Sequence, residues 1–233
     1  MTGEPVMAAR PLRQQGRGFL NCQHKNADGI LARYGLFLPH AYDDRRPWPL
    51  ILFLHGAGET GDDGQRQMEV GLGPAVRRRE GRFPSLVVFP QSQLRTWQAG
   101  TPDARRALAI VGNVRKKFNV DASRIYLTGL SMGGFGVWSL AARHPRWWAA
   151  VVPVCGGGNP KNARKSKDIP CWCFHGARDE VVPVQRSREM IEALRAAGGR
   201  PKYTEYEDVA HNSWDPAYAH RGLFAWLFKH RRA

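Results

Sequence analysis

Apolar residues in this chain gather into short runs, and the segments between them carry apolar positions at helical spacing. The runs at 50–54, 86–89, 124–128, 148–154 and 171–174 are continuous enough for strands buried on both faces. The segments 33–38 and 202–206 add two more strands. Segments 68–79, 103–118, 132–144, 184–197 and 216–230 read as amphipathic helices, the third closed by Pro145. Strands that alternate with helices imply an α/β fold, a mostly parallel sheet covered by helices on both faces. The early strands are expected to add an antiparallel edge.

Length and composition keep this to one domain. A chain of 233 residues with 42% apolar content can bury one substantial core, and no shift in composition divides it. Residues 1–18 are polar with scattered arginine, which predicts a flexible tail ahead of a single domain over 19–233. That tail lacks the apolar stretch of a secretion signal, so a cytoplasmic location is expected, or a secreted one whose signal has been removed. No apolar run approaches the roughly 18 residues of a membrane span.

Charge raises a second class of function. The net charge of +15, from 35 basic and 20 acidic residues, brings nucleic-acid binding into view. The basic residues are dispersed, however, as Arg77-Arg78-Arg79, Lys116-Lys117, Arg164-Lys165 and Arg231-Arg232, and no recognised nucleic-acid module accompanies them. A solvated, arginine-rich surface is the expectation, with a field that favours anionic substrates. The cysteines carry no metal-ligand spacing: Cys171 and Cys173 lie two apart on one strand, and no second pair matches them. No metal is expected, and the pattern fixes neither a disulfide pairing nor an oligomeric state.

Candidate chemistry centres on Gly129-Leu130-Ser131-Met132-Gly133, between the strand at 124–128 and the helix at 132–144. A strand that turns this sharply into a helix holds a serine hydroxyl out into a cleft. Glycines two residues before and after it avoid collision with neighbouring backbone. Serine becomes a useful nucleophile when a neutral imidazole takes its proton, and the imidazole needs a carboxylate to fix its tautomer. Asp179 follows the strand at 171–174 in His175-Gly176-Ala177-Arg178-Asp179, and His211 precedes the last helix in Val209-Ala210-His211-Asn212-Ser213-Trp214. Glu180 is the alternative acid, while Asp208 reads as a turn residue. His55 and His175 each end an apolar strand before glycine and read as hydrogen-bonded structural residues; His220 and His230 belong to the terminal helix. An oxyanion hole would take one N–H from Met132, at the positive start of its helix. Its second donor would come from His55-Gly56-Ala57-Gly58, with Ala57 as first choice and Gly58 as second.

The order Ser131, Asp179, His211 resembles that of α/β-hydrolases. The stretches LHGAGETGDD (54–63), TGLSMGGFGVWSLAARHP (128–145), FHGARDEVVPVQRSREMIEALRAAGG (174–199) and YTEYEDVAHNSWDPAY (203–218) carry the likeness further. They resemble single-domain esterases related to feruloyl esterases, polyhydroxyalkanoate depolymerases and dienelactone hydrolases, a group also likened to the catalytic domain of prolyl oligopeptidases. The likeness runs from about Tyr34 to the end of the chain. It implies an α/β-hydrolase fold and carboxylic-ester hydrolysis, and the serine chemistry itself requires no cofactor.

The segment 156–169, where this fold usually carries a lid, has only 14 residues, four of them glycine or proline. An open site without a lid domain is expected, suited to small ester substrates or the chain ends of a polymer. Trp97 and Trp214 are candidates for walls of the substrate pocket, each also readable as packing under a loop. Trp138, on the helix after Ser131, reads as core. A serine carboxylesterase for short-chain or aryl esters is the function expected. The alternatives are a peptidase of prolyl-oligopeptidase type, for which no gating domain is visible, and a non-catalytic binding module or acyltransferase.

Overall fold

β3 (Trp48–Leu54) is buried along its whole length and organises the layers around it. Its side chains alternate as a strand requires. Leu50, Leu52 and Leu54 pack into one apolar cluster with α2 (Pro102–Lys117), α3 (Met132–Arg143) and α5 (Gln185–Ala196). Ile51 and Phe53 pack into the other, with α1 (Leu72–Arg77), α6 (Trp214–Ala219) and α7 (Leu223–Lys229). The computed structural model from which this follows describes residues 16–26 and 29–232.

Among the described residues the sheet has eight strands. β1 (Gly18–Lys25) pairs antiparallel with β2 (Leu31–Leu38), and β2 pairs antiparallel with β4 (Leu86–Pro90). Next come β3, β5 (Val120–Leu130), β6 (Ala150–Val154), β7 (Trp172–Gly176) and β8 (Lys202–Tyr206), all in parallel pairing. A parallel sheet with helices on both faces is therefore present, together with the antiparallel edge. The loops that leave the C-terminal ends of β3, β5, β7 and β8 are where such sheets gather functional groups.

Three departures from the sequence pattern have local causes. β1 was not among the predicted strands; its polar residues Asn21, Gln23 and His24 lie at the sheet edge, so alternation of apolar residues does not mark it. The helix predicted at 68–79 shrinks to α1, because Gly71 takes φ +58° and Gly73 lies so close to the Met68 carbonyl that a Cβ would meet its oxygen at 1.9 Å. The helix predicted at 216–230 is two helices, parted at 220–222, where the His220 ring packs edge-on against Trp172 at 4.9 Å between centroids. The tail predicted over 1–18 lies, as far as residue 15, outside the described residues, and Gly18 opens β1.

α3 touches the sheet without intervening side chains. A Cβ on Gly133 would lie 1.9 Å from the Leu54 carbonyl oxygen, and one on Gly134 would lie 2.5 Å from that of Val154. The Gly133→Ala substitution should therefore cost about 3 kcal/mol or more, since the obstacle is backbone at the centre of the sheet. Urea unfolding measures it; a variant within about 0.5 kcal/mol of the parent would contradict so close an approach.

Candidate active site

β5 ends at Leu130 and α3 begins at Met132, so Ser131 alone makes the turn between them. It does so at φ +51°, ψ −118°, a conformation that a side chain rarely adopts. The Ser131 N–H donates to the Val154 carbonyl at 2.9 Å, and its own carbonyl accepts from Phe135 at 3.0 Å. Gly129 is required as well: a Cβ there would lie 2.7 Å from the carbonyl oxygens of both Leu54 and Gly133.

The three residues singled out from the sequence come together. His211 Nε2 lies 3.0 Å from Ser131 Oγ, and His211 Nδ1 lies 2.8 Å from Asp179 Oδ2. Nδ1 faces a carboxylate, so it carries the ring proton and leaves the Nε2 lone pair for the serine hydroxyl. The Asp179 side chain is fully buried, while that of His211 is 21% exposed. Burial of a charge demands partners, and Asp179 has them. Its Oδ1 accepts from the N–H groups of Val181 at 2.9 Å and Val182 at 2.8 Å. Glu180, the alternative acid, points to solvent, and Asp208 forms a surface ion pair with Arg178.

Asp179 and His211 follow different strands, and their loops are stitched together. The N–H of Ala177 donates to Tyr206 at 2.9 Å and that of Arg178 to Val209 at 3.1 Å. Gly176 allows this approach, since a Cβ there would meet the Val209 and Ala210 carbonyl oxygens at 2.2 and 2.3 Å.

The loop after β3 lies beside Ser131: a Cβ on Gly56 would be 3.7 Å from Ser131 Cβ. Ala57 starts a short 3-10 turn there (Ala57–Glu59), just as Met132 starts α3. The first N–H groups of a helical turn have no partner within it and are free to meet an anion. Gly58 is the second residue of the turn and is exposed.

His55, read from the sequence as a hydrogen-bonded structural residue, holds this loop together with Gln91, Ser92 and Asp103, which the sequence pattern did not single out. His55 is fully buried; its Nδ1 lies 2.6 Å from the Gly56 carbonyl, and its Nε2 accepts from the Ser92 N–H at 2.9 Å. These contacts fix a neutral ring, and burial pushes its pKa down to about 4. The Gln91 amide bridges the Gly64 N–H at 2.6 Å and the Glu59 carbonyl at 3.0 Å. Buried Asp103 accepts from Ser92 Oγ and from the N–H groups of Gln93 and Leu94, and is paired with Arg106. Apart from His55 at its strand end, a glutamine just after a strand is the one local signal these residues give.

Of the two tryptophans, one belongs at the site. Trp214 is half-buried and packs perpendicular to the His211 ring, at 5.3 Å between centroids. Trp97 is 1% exposed, donates its indole N–H to the His55 carbonyl at 3.0 Å, and packs on Gly136 of α3. It supports the β3 loop from inside and is no pocket wall. Cys155, at φ +39°, is buried close to Asp179 and His211; burial pushes its thiol up to about 12, so it stays protonated at neutral pH.

The chain belongs to the dienelactone hydrolase family. The family's model matches residues 88–217, more than half of the chain, and that span includes Ser131, Asp179 and His211. A bifunctional acetylxylan esterase/xylanase of Neocallimastix patriciarum is 30% identical over 63% of this chain and 22% of its own. Poly(3-hydroxyalkanoate) depolymerase C of Paucimonas lemoignei is 29% identical over 47% of this chain and 28% of its own. The crystal structure of a thermostable esterase superposes with a TM-score of 0.84 at 34% identity, over 92% of this chain and 63% of that one. This chain thus spans only part of the length of these relatives.

The buried His55 ties stability to pH. Its imidazole titrates near 6.5 in an unfolded chain but at about 4 when folded. Between those values the unfolded state binds the extra proton, so stability is whole above about pH 6.5 and falls as pH drops toward 4, by about 3 kcal/mol. Urea unfolding at several pH values should show this slope, and His55→Asn should flatten it from a lower starting point. Equal slopes in parent and variant would remove His55 from the account.

Proposed function

We propose that this chain is a serine carboxylesterase that hydrolyses short-chain or aryl carboxylic esters through Ser131, His211 and Asp179. The unbroken hydrogen-bond path from Ser131 Oγ through the neutral His211 to the buried Asp179 carries this reading. In the reaction, Oγ attacks the ester carbonyl carbon while His211 Nε2 takes its proton. The N–H groups of Met132 and Ala57 receive the oxyanion. His211 then gives its proton to the departing alcohol oxygen, leaving Ser131 acylated. Water repeats the cycle, with His211 again as base, and releases the acid. Asp179 keeps the imidazole in the productive tautomer throughout and stabilises its charged form.

Membership of a hydrolase family and the esterases among its relatives support ester bonds as the target. The connection from Gly156 to Ile169 carries a single 3-10 turn and the four-residue α4 (Ala163–Ser166), which is too little to close over an acyl chain. Short acyl groups are accordingly favoured, as the acetylxylan esterase among the relatives also suggests, and Trp214 offers an aromatic face beside the base. The depolymerase relative is consistent with a polymer chain end as substrate.

Ser131→Ala should lower ester turnover by about four orders of magnitude or more with the fold intact, and Asp179→Asn by a comparable factor. A fluorophosphonate should label Ser131 and no other serine. Labelling elsewhere, or a Ser131→Ala variant that keeps about a tenth of the activity, overturns the assignment.

On a p-nitrophenyl ester series, acyl chains of roughly C2 to C6 should outperform those of about C12 and longer. A preference for long chains with a rate jump above the micellar concentration would point to a lipase. Faster turnover of aminoacyl anilides than of esters would point to a peptidase.

A further inference from the structure

A second histidine touches the carboxylate that His211 uses. His175 Nε2 lies 3.1 Å from Asp179 Oδ2 and 2.9 Å from the Val182 carbonyl oxygen. Both neighbours are acceptors, so Nε2 must carry a proton and share it between them. On the other side of the ring, Nδ1 lies 2.7 Å from Ser187 Oγ on α5. The imidazole is fully buried, which favours its neutral form and lowers its pKa. A neutral ring protonated at Nε2 presents a lone pair at Nδ1, and the Ser187 hydroxyl shares its one proton between that lone pair and the Gly156 carbonyl at 3.0 Å. The Cys173 thiol in turn donates to Ser187 Oγ at 3.3 Å.

We propose that His175 is a positioning residue for the acid of the triad, holding Asp179 Oδ2 so that its remaining lone pair meets His211 Nδ1. With Oδ1 fixed by the two backbone N–H groups of Val181 and Val182, the His175 bond leaves the carboxylate no freedom to turn. Without it, Oδ2 keeps His211 as its single hydrogen-bond partner among the described residues, and the carboxylate swings with the ring it is meant to orient. The same bond connects α5 to the site, through Ser187. This assignment rests on the esterase reading above and adds a residue that touches neither substrate nor the reacting atoms.

Two substitutions separate positioning from packing. In His175→Gln the amide nitrogen takes the place of Nε2 and can still donate to Asp179. In His175→Asn the shorter amide takes the place of Nδ1, keeping a polar partner for Ser187 but losing Asp179. With folding checked by circular dichroism and active sites counted by fluorophosphonate, His175→Asn should lower kcat about tenfold to a hundredfold with KM within about twofold. His175→Gln should restore most of that loss. Equal kcat in the two variants, or a loss confined to KM, overturns the proposal. Should the asparagine variant not fold, His175→Met fills the space without a donor, and the same comparison with glutamine applies. If the parent hydrolyses no ester yet still takes up the fluorophosphonate, the esterase reading fails while the labelling rates of the variants still decide the role of His175. A parent that does neither overturns both.

Discussion

The site depends on one contact between main chains, that of Gly133 on α3 with the Leu54 carbonyl at the end of β3. Because helix and strand meet there with no side chain between them, Ser131 must complete the turn at positive φ. Such a backbone costs on the order of 1–3 kcal/mol. The packing of α3 offsets it: Val137, Trp138, Leu140 and Ala141 are all buried against the β3 leucines and their neighbours. The same contact sets the distance to the loop after β3, since Leu54 leads directly into His55 and Gly56. Nucleophile and loop are therefore placed by one pair of residues.

Three histidines near the site share a residue type and differ in role through their partners. His55 faces one carbonyl and one N–H, which makes it a fixed brace for the β3 loop. His175 faces a carbonyl and a carboxylate on one nitrogen and a hydroxyl on the other, and is likewise sealed in. His211 alone combines a buried carboxylate on Nδ1 with a serine hydroxyl on Nε2 and a partly exposed ring. That combination is the one the proposed reaction needs of its base, while burial favours the neutral form of the other two.

What could be read from the sequence was what local chemistry encodes. The strands at β3, β4, β5 and β7 announce themselves as apolar runs, and the G-x-S-x-G turn forces its own geometry, so the sheet and the Ser131, Asp179, His211 set were legible in advance. Contacts between distant segments were not. Trp97 follows a strand end, where a pocket wall is a reasonable expectation, yet the neighbouring Ala99 N–H is held by Ser139 Oγ on α3, which draws that loop inward and buries the ring. His175 sits four residues before Asp179, but that spacing gives neither its bond to the carboxylate nor the fold-back after Asp179 that brings the Val182 carbonyl to the same nitrogen.

Distances of 2.8 and 3.0 Å across three loops call for a rigid frame, and the order of the strands supplies it. Ser131 leaves β5, Asp179 follows β7 and His211 follows β8. β6 lies between the first two and carries no member of the set. Its end nevertheless joins them: the Val154 carbonyl accepts from Ser131, and the next N–H, that of Cys155, donates to Phe174 on β7. From β7 the turn at Gly176 passes the constraint to the loop of His211 through the hydrogen bonds of Ala177 and Arg178. Each step is made by backbone, so side chains around the opening can vary without moving the reacting atoms. On the function proposed above, the connection from Gly156 to Ile169 and the surface around Trp214 are thus the places where substrate preference can change while the chemistry stays constant.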